Sequence, residues 1–165
     1  MAALTVGMKA PDFELRAMDG RRFVLREELA HGPLVLAFFK VSCPTCQYAF
    51  PFLERLERAY GHQGVRLIGV SQDDPRHTAD FTKEFGVTFP VLLDDRDTYP
   101  VSNAYGLTNV PSVFWIAQDG KIEVSSVGWL KADFTEISCK MAAPGKIPPA
   151  VLFKPGEDVR DFRAG

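Results

Sequence analysis

Two cysteines three residues apart, Cys43 and Cys46, are the side chains of this sequence best suited to chemistry. They enclose Pro44 and Thr45, and a continuous apolar run at positions 34–39 precedes them. A helix that begins around Pro44 would place both sulfurs on its first turn, where a disulfide can form and open with little backbone movement. Unpaired N–H groups at the start of such a helix favour the thiolate form of Cys43, whereas Cys46 is more shielded. The spacing therefore predicts a redox-active pair in which Cys43 attacks and Cys46 resolves.

The same pair has two alternative roles. A structural zinc site needs about four ligands, usually two such pairs or one pair with histidines. The sequence has no second pair, and His31, His62 and His77 show no ligand spacing, so we expect no metal site. Binding of Zn²⁺ or Cu(I) by Cys43 and Cys46, and a purely structural pair, remain the alternatives to redox chemistry.

The elements around the pair alternate between strand and helix. The apolar run at 34–39 has the length and the flanking residues of a strand buried on both faces. A helix should follow from Pro44 to about Gly61, then a second buried strand at 65–70 and a helix capped by Asp74. Strand, helix, strand, helix is typical of a parallel sheet with right-handed crossovers.

The remaining elements extend this sheet. Turn signals at Asp19-Gly20 and Asp119-Gly120 each lie between short runs typical of strands, which predicts two β-hairpins. The runs beside Asp19-Gly20 are at 13–15 and 22–25. The other predicted elements are a strand at 91–93, a short helix at 99–105, hairpin strands at 113–117 and 122–127, and a last helix at 131–141. We therefore predict an α/β fold with a central mixed sheet, flanking helices and an N-terminal β-hairpin extension.

The end of the chain differs in composition. Proline and glycine recur from residue 144 onward, and we expect them to exclude regular structure. The sequence thus divides into a domain at 1–141 and an extended C-terminal tail at 142–165. The third cysteine, Cys139, falls on an apolar face of the last predicted helix, where we expect a small buried core residue.

Composition excludes several classes of protein. Among 165 residues, 19 basic and 21 acidic side chains give a net charge of −2, with the two signs mixed along the chain. This is not the concentrated basic footprint of a nucleic-acid-binding protein, so we expect no nucleic-acid partner. No apolar run approaches the roughly 18 residues of a membrane span. The first residues lack the pattern of a secretory signal, which predicts a cytoplasmic location, or a periplasmic one if a signal has been removed.

Taken in order, these motifs give a family resemblance. The chain resembles the thioredoxin-like superfamily and is most similar to its AhpC/TSA–TlpA-like branch of thiol–disulfide oxidoreductases and peroxiredoxin-related redoxin domains. The resemblance covers residues 6–141. Its marks are Gly7, Ala10-Pro11-Asp12-Phe13, the Asp19-Gly20 turn, the strand at 34–39, Cys43-Pro44-Thr45-Cys46, Pro51, Val70-Ser71-Gln72-Asp73, Ala104-Tyr105-Gly106, Val110-Pro111-Ser112-Val113-Phe114 and Asp119-Gly120-Lys121.

The resemblance implies a thioredoxin-like fold and an enzyme that exchanges its dithiol or disulfide with protein or small-molecule disulfides. Cys43 would be the nucleophile and Cys46 the resolving thiol. Pro111 would be a cis-proline that packs against the pair and keeps metal away from it. Val110 would offer its backbone groups to an extended substrate.

The implied substrate contacts also include the two residues between the cysteines, Pro44 and Thr45. No cofactor is implied, because the Cys43–Cys46 disulfide is itself the electron carrier. The implied partners are a disulfide-containing substrate and an upstream reductant, and we expect a monomer.

One departure from the family concerns proton transfer. Many members have a buried acid six residues before the first cysteine, where it serves proton transfer with the resolving thiol, but this chain has Ala37 there. Asp73 or Asp74, at the end of the second buried strand, is a candidate substitute. Capping of the next helix is the other role open to both.

A second departure concerns peroxide chemistry. Cys43-Pro44-Thr45 matches the peroxiredoxin motif, in which a threonine three residues before the cysteine holds the peroxide, but here that position is Lys40. Lys40 is interpreted either as a charge that acts on Cys43 or as a surface lysine. A thiol peroxidase with antioxidant activity, which reduces hydroperoxides through Cys43, is therefore the alternative function.

Overall fold

The computed structural model describes residues 2–165. Within that range the chain forms nine strands and five helices. In chain order they are β1 (Glu14–Ala17), β2 (Arg22–Val24), α1 (Leu25–Leu29), β3 (Leu34–Phe39), α2 (Pro44–Tyr60), β4 (Arg66–Ser71), α3 (Pro75–Glu84), β5 (Val91–Leu93), α4 (Pro100–Ala104), β6 (Ser112–Ile116), β7 (Ile122–Val127), β8 (Trp129–Leu130), α5 (Lys131–Ala142) and β9 (Phe162–Arg163).

Seven strands form one mixed sheet in the order β2-β1-β5-β4-β3-β6-β7. At its centre β3, β4 and β5 are parallel, and α2 and α3 lie in the connections between them. The β6–β7 hairpin extends one side of the sheet, and the β1–β2 hairpin extends the other because β1 pairs with β5. The predicted α/β class, with its mixed sheet, flanking helices and N-terminal hairpin, is confirmed.

Strand β3 is buried on both faces, as its continuous apolar sequence predicts. Its side chains alternate between two hydrophobic clusters, with Val35, Ala37 and Phe39 in one and Leu34, Leu36 and Phe38 in the other. The first cluster also contains the apolar side chains of α2 and α5. Packing of α2 on this face holds its first turn, and with it the cysteine pair, beyond the end of β3.

The sequence pattern does not predict helix α1. The alternating run that predicts the second hairpin strand reaches Leu25, but the strand ends at Val24 and a helix begins. Leu25 and Leu29 are four residues apart and both are buried, which is the spacing of one helical face. Among residues 2–165 no helix combines the length and the apolar character needed to cross a membrane.

The expectation that Cys139 is a buried core residue is wrong, since its side chain is exposed. Helix α5 buries Phe134, Ile137, Ser138 and Met141, which follow one another at helical spacing. Cys139 lies outside this buried face of α5, because a residue two positions after Ile137 is on the opposite side of the helix and points away from the core.

The expectation that the tail contains no regular structure is wrong at β9, which pairs antiparallel with β8. Upstream of β9, Leu152 is buried in the core. A bidentate ion pair, with two N–O distances of 2.7 Å, joins Arg55 of α2 to Glu157. Tertiary contacts therefore order a segment whose local sequence favours neither helix nor strand.

Candidate active site

The loop between β3 and α2 carries the first cysteine and is held from two sides. The backbone N–H of Val41 donates to Oδ2 of Asp73 (2.8 Å), which follows β4. Nε2 of Gln47, from α2, donates to the Val41 carbonyl (2.9 Å). Within the loop the Cys43 N–H donates to the Lys40 carbonyl (3.2 Å). The position of Cys43 is thus set by β4 and α2 together.

Cys43 is the N-cap of α2, as the spacing predicts. Its Sγ accepts a hydrogen bond from the backbone N–H of Cys46 (3.1 Å) and donates one to the carbonyl oxygen of Val110 (3.3 Å). The side chain is half-buried. A sulfur that receives a free N–H group of a helix start is well placed to carry negative charge.

Cys46 has the opposite environment, with none of its surface exposed. Burial raises the pKa of the Cys46 thiol far above its ordinary value, the hydrogen bond with Cys43 and the charge of Asp73 raise it further, and a hydrogen bond with the backbone of Lys40 opposes them. Both thiols are free, as is Cys139. The pair therefore combines one partly accessible sulfur with one that is shielded and protonated.

The Val110–Pro111 peptide bond is cis, the conformation that the resemblance implied. Val110 faces the cysteine pair with its carbonyl, which receives the Cys43 thiol. Pro111 is buried, and its own carbonyl accepts the backbone N–H of Gly128 (2.8 Å). The loop before β6 and the start of α2 thus meet at Cys43.

The two candidate aspartates have different surroundings. Asp74 caps α3, where Oδ1 accepts the His77 N–H (2.9 Å) and Oδ2 pairs with Arg96 (3.2 Å). The hydrogen bonds from His77, its backbone N–H first, lower the pKa of Asp74. Asp73 instead points to the redox loop, and its charge acts on Cys46. Of the two, Asp73 lies at the site.

The side chains of Lys40, Pro44 and Ala37 make no hydrogen bond with Cys43. The Lys40 ammonium is 5.6 Å from the centroid of the Tyr99 ring, a cation–π distance. Pro44 is exposed at the first position of α2. Ala37 is fully buried on β3 between Gly69 and Val113, so this strand position supplies no carboxylate to the cysteines.

The tail contributes to the site, which no feature of its local sequence predicts. The Thr45 hydroxyl donates to the backbone carbonyl of Ala164 (2.5 Å), which is 119 residues away in the chain. Asn109 Nδ2 donates to the Gly165 carbonyl (3.4 Å). No local pattern around residues 160–165 signals a contact with the cysteine pair, because the contact depends on how the tail crosses the domain.

The surroundings of Cys43 are made of backbone groups rather than metal ligands. Within residues 2–165, no three or more His, Cys, Asp or Glu side chains are grouped so that they could hold a metal ion. The Cys43 sulfur instead contacts the Cys46 N–H and the Val110 carbonyl. This arrangement suits the exchange of one sulfur bond for another.

Known proteins resemble the chain in both sequence and structure. The model of the AhpC/TSA family matches residues 6–125. The thiol-disulfide oxidoreductase ResA of Geobacillus thermodenitrificans (strain NG80-2) is 34% identical over 122 residues, which are 73% of this chain and 68% of that protein. ResA of Geobacillus kaustophilus (strain HTA426) is 30% identical over 81% of this chain and 76% of its own length.

A solved structure has the same fold. The crystal structure of a putative thiol:disulfide interchange protein DsbE from Chlorobium tepidum superposes with a TM-score of 0.74 at 25% sequence identity. The match covers 86% of this chain and 99% of that one. The predicted resemblance to thioredoxin-like redoxins is confirmed.

Proposed function

The chain belongs to the AhpC/TSA family and is a thiol–disulfide oxidoreductase, and from this premise we propose that it works through the Cys43–Cys46 pair. Cys43 is the attacking thiolate and Cys46 is the resolving thiol. The observation that supports this assignment best is the N-cap position of Cys43, whose Sγ receives the Cys46 N–H at 3.1 Å while the Cys46 side chain is fully buried. A substrate therefore meets the outer sulfur first.

The reaction, written in the reductive direction, has two exchange steps. The Cys43 thiolate attacks one sulfur of the substrate disulfide, so that a Cys43–substrate S–S bond forms, the substrate S–S bond breaks and the departing thiolate takes up a proton. Cys46 then loses its proton and attacks the Cys43 sulfur, which releases the second substrate thiol and leaves a Cys43–Cys46 disulfide. Two electrons pass to the substrate. An upstream dithiol reductant restores the pair by the same chemistry, and no dissociable cofactor is needed.

The second step requires a base for the Cys46 proton, and we assign that role to Asp73. The Val41 N–H holds Oδ2 of Asp73 at the redox loop at 2.8 Å. The charge of Asp73 also contributes to the raised pKa of Cys46. A general base must reach the proton that it removes, directly or through one water, and the carboxylate of Asp73 at the redox loop is the group that we assign to this role.

Single cysteine substitutions test the assignment of the two thiols. Cys43→Ser should abolish reduction of a protein disulfide, because no thiolate remains to attack. Cys46→Ser should trap the mixed disulfide on Cys43, which is measured by intact-mass spectrometry under non-reducing conditions. Cys139→Ser is the matched control: this thiol is exposed on α5, and the variant should keep wild-type activity.

Two results would contradict the proposal. One is a Cys43→Ser variant that still reduces disulfides, and the other is a mixed disulfide that accumulates in Cys43→Ser rather than in Cys46→Ser.

The direction of exchange follows from the reduction potential of the pair. A potential of about −270 mV would match the reductant thioredoxin, and one of about −120 mV would match the oxidant DsbA. Hydrogen peroxide replaces the disulfide in a parallel assay, and consumption well above the rate of a free thiol would favour the peroxidase alternative.

A further inference from the structure

The last residues of the sequence lie across the redox site. The Ala164 carbonyl accepts the Thr45 hydroxyl at 2.5 Å, between the two cysteines. Gly165 lies against Val110, so closely that a methyl group on Gly165 would come 2.5 Å from the Val110 carbonyl oxygen. This carbonyl also receives the Cys43 thiol. The segment therefore contacts the two backbone regions, the first turn of α2 and the loop before Pro111, that border the attacking sulfur.

The segment has the conformation of a bound peptide. Phe162 and Arg163 form strand β9, which pairs antiparallel with Leu130 and Trp129 of β8. The pairing extends by one residue on each strand, because the Lys131 N–H donates to the Asp161 carbonyl (2.9 Å). Backbone hydrogen bonds do not depend on the identity of the side chains. A strand that is held by them can therefore have many sequences, as when a peptide adds a strand to the edge of a sheet.

Side chains of the domain hold the segment just upstream of β9. The Trp129 indole N–H donates to the Arg160 carbonyl (2.6 Å), and the Arg160 N–H donates to the Tyr48 hydroxyl (3.0 Å). The Arg163 guanidinium stacks over the Tyr48 ring at 5.4 Å. Tyr48 lies two residues after Cys46, so the start of α2, which carries the redox pair, also holds the segment.

The domain also leaves space for the segment's backbone. Gly128, between β7 and β8, has a φ of +76°. A side chain there would place its Cβ 2.7 Å from the Arg163 carbonyl oxygen and 3.1 Å from the Gly165 nitrogen. Only glycine permits this approach without displacement of the segment.

The result is a covered site. Thr45, which lies between the cysteines, is only 4% exposed, and its hydroxyl is occupied by the segment. We propose that residues 160–165 occupy the groove that binds an extended polypeptide substrate, and that such a substrate must displace them before its disulfide reaches Cys43. This role presupposes the thiol–disulfide exchange proposed above and specifies its substrate class as disulfides within extended polypeptide. A small disulfide needs only the half-buried sulfur and does not compete for the groove.

The test compares the full chain with a form truncated after Glu157. Truncation removes β9, Ala164 and Gly165 but keeps the Arg55–Glu157 ion pair that holds the rest of the tail. Each form reacts with a ten-residue peptide whose cysteine carries glutathione in disulfide linkage, and with a small aromatic disulfide. We expect the peptide rate constant to rise about fivefold or more, the factor that one net hydrogen bond is worth. The rate constant for the small disulfide should change far less.

Two outcomes of this comparison would overturn the proposal. An unchanged peptide rate would mean that the segment does not occupy the substrate groove, and an equal rise for both substrates would mean that it only shields the sulfur. Tyr48→Phe in the full chain provides a second test, because it removes the acceptor of the Arg160 N–H and keeps the ring. This variant should accelerate the peptide reaction selectively and by a smaller factor, and no acceleration would count against the proposal.

A binding experiment separates this proposal from the proposed function. A synthetic peptide with the sequence of residues 158–165 should bind the truncated form in calorimetry and inhibit the peptide reaction competitively, whereas a scrambled peptide should do neither. If neither form of the protein reduces any disulfide, the proposed function fails, and calorimetry alone decides whether the groove exists. Absence of binding to the truncated form would overturn the inference whatever the activity.

Discussion

Replacement of Tyr60 by phenylalanine should destabilise the protein without changing its chemistry. Tyr60 is the last residue of α2 and is 1% exposed. Its hydroxyl lies 2.8 Å from the Ser138 hydroxyl of α5 and accepts the Ala150 N–H of the tail at 2.6 Å. One oxygen thus joins the redox helix, the last helix and the start of the ordered tail.

The magnitude follows from the groups that lose their partner. Phenylalanine preserves the ring, so the substitution opens no large cavity. Ser138 is buried and loses a hydrogen-bond partner, whereas Ala150 is exposed and its N–H can turn to water. One buried hydroxyl left without its partner and one hydrogen bond exchanged for water together cost about 2 kcal/mol. For a domain of this size that lowers the melting temperature by about 4–8 °C.

The assay combines thermal and urea unfolding with the disulfide reductase rate measured well below the transition. Tyr60 lies about 24 Å along α2 from the first of its 17 residues, so the rate should equal that of the wild type. Ser138→Ala is the matched control, and its cost should be smaller and should not add to that of Tyr60→Phe, since both remove the same hydrogen bond. A change in unfolding free energy below about 0.5 kcal/mol, the range of ordinary surface substitutions, would contradict this prediction.

Two further predictions concern charged groups at the site and in the tail. Asp73→Asn should slow the second exchange step, in which Cys46 releases the substrate from Cys43, because it removes the proposed base for the Cys46 proton. Stopped-flow measurement of substrate release from the mixed disulfide tests this, and an unchanged rate constant would argue against Asp73 as the base. The Arg55 guanidinium lowers the pKa of Glu157 from 4.5 to about 2, so the stabilisation from this ion pair is complete above pH 4.5 and is lost as the pH falls towards 2. Glu157→Gln should remove that part of the acid dependence of the melting temperature, and identical acid profiles for variant and wild type would contradict it.

Local sequence is sufficient for the elements that position the cysteine pair. Six consecutive apolar residues predict β3 with the bounds that the structure has, and proline after a capping residue predicts the starts of α2 and α3. These signals are strong because each depends on neighbouring residues alone. A strand that is buried on both faces must be apolar throughout. Proline is accepted in the first turn of a helix because the N–H that it lacks would have no hydrogen-bond partner within the helix.

Periodicity is less reliable where an element is short or its buried face is narrow. Leu25 continues an alternating run and is predicted as strand, yet it is the first residue of α1. A helical turn places Leu25 and Leu29 on the same face, so that both side chains are buried. Cys139 has apolar neighbours on α5 but faces solvent, since the orientation of that helix on the sheet decides which face is covered. In both cases the packing of other elements selects between alternatives that the local pattern leaves open.

The order of residues along the chain accounts for the fold class, the cysteine pair and the difference in shielding between its two sulfurs. What surrounds those sulfurs is a matter of tertiary structure. The Val110 carbonyl that contacts Cys43 is 67 residues away from it, and the Ala164 carbonyl that covers Thr45 is 119 residues away. Such contacts form only when several elements are already packed, because the groups that meet at the site lie on α2, β8, the loop before β6 and the tail, which are far apart in the chain.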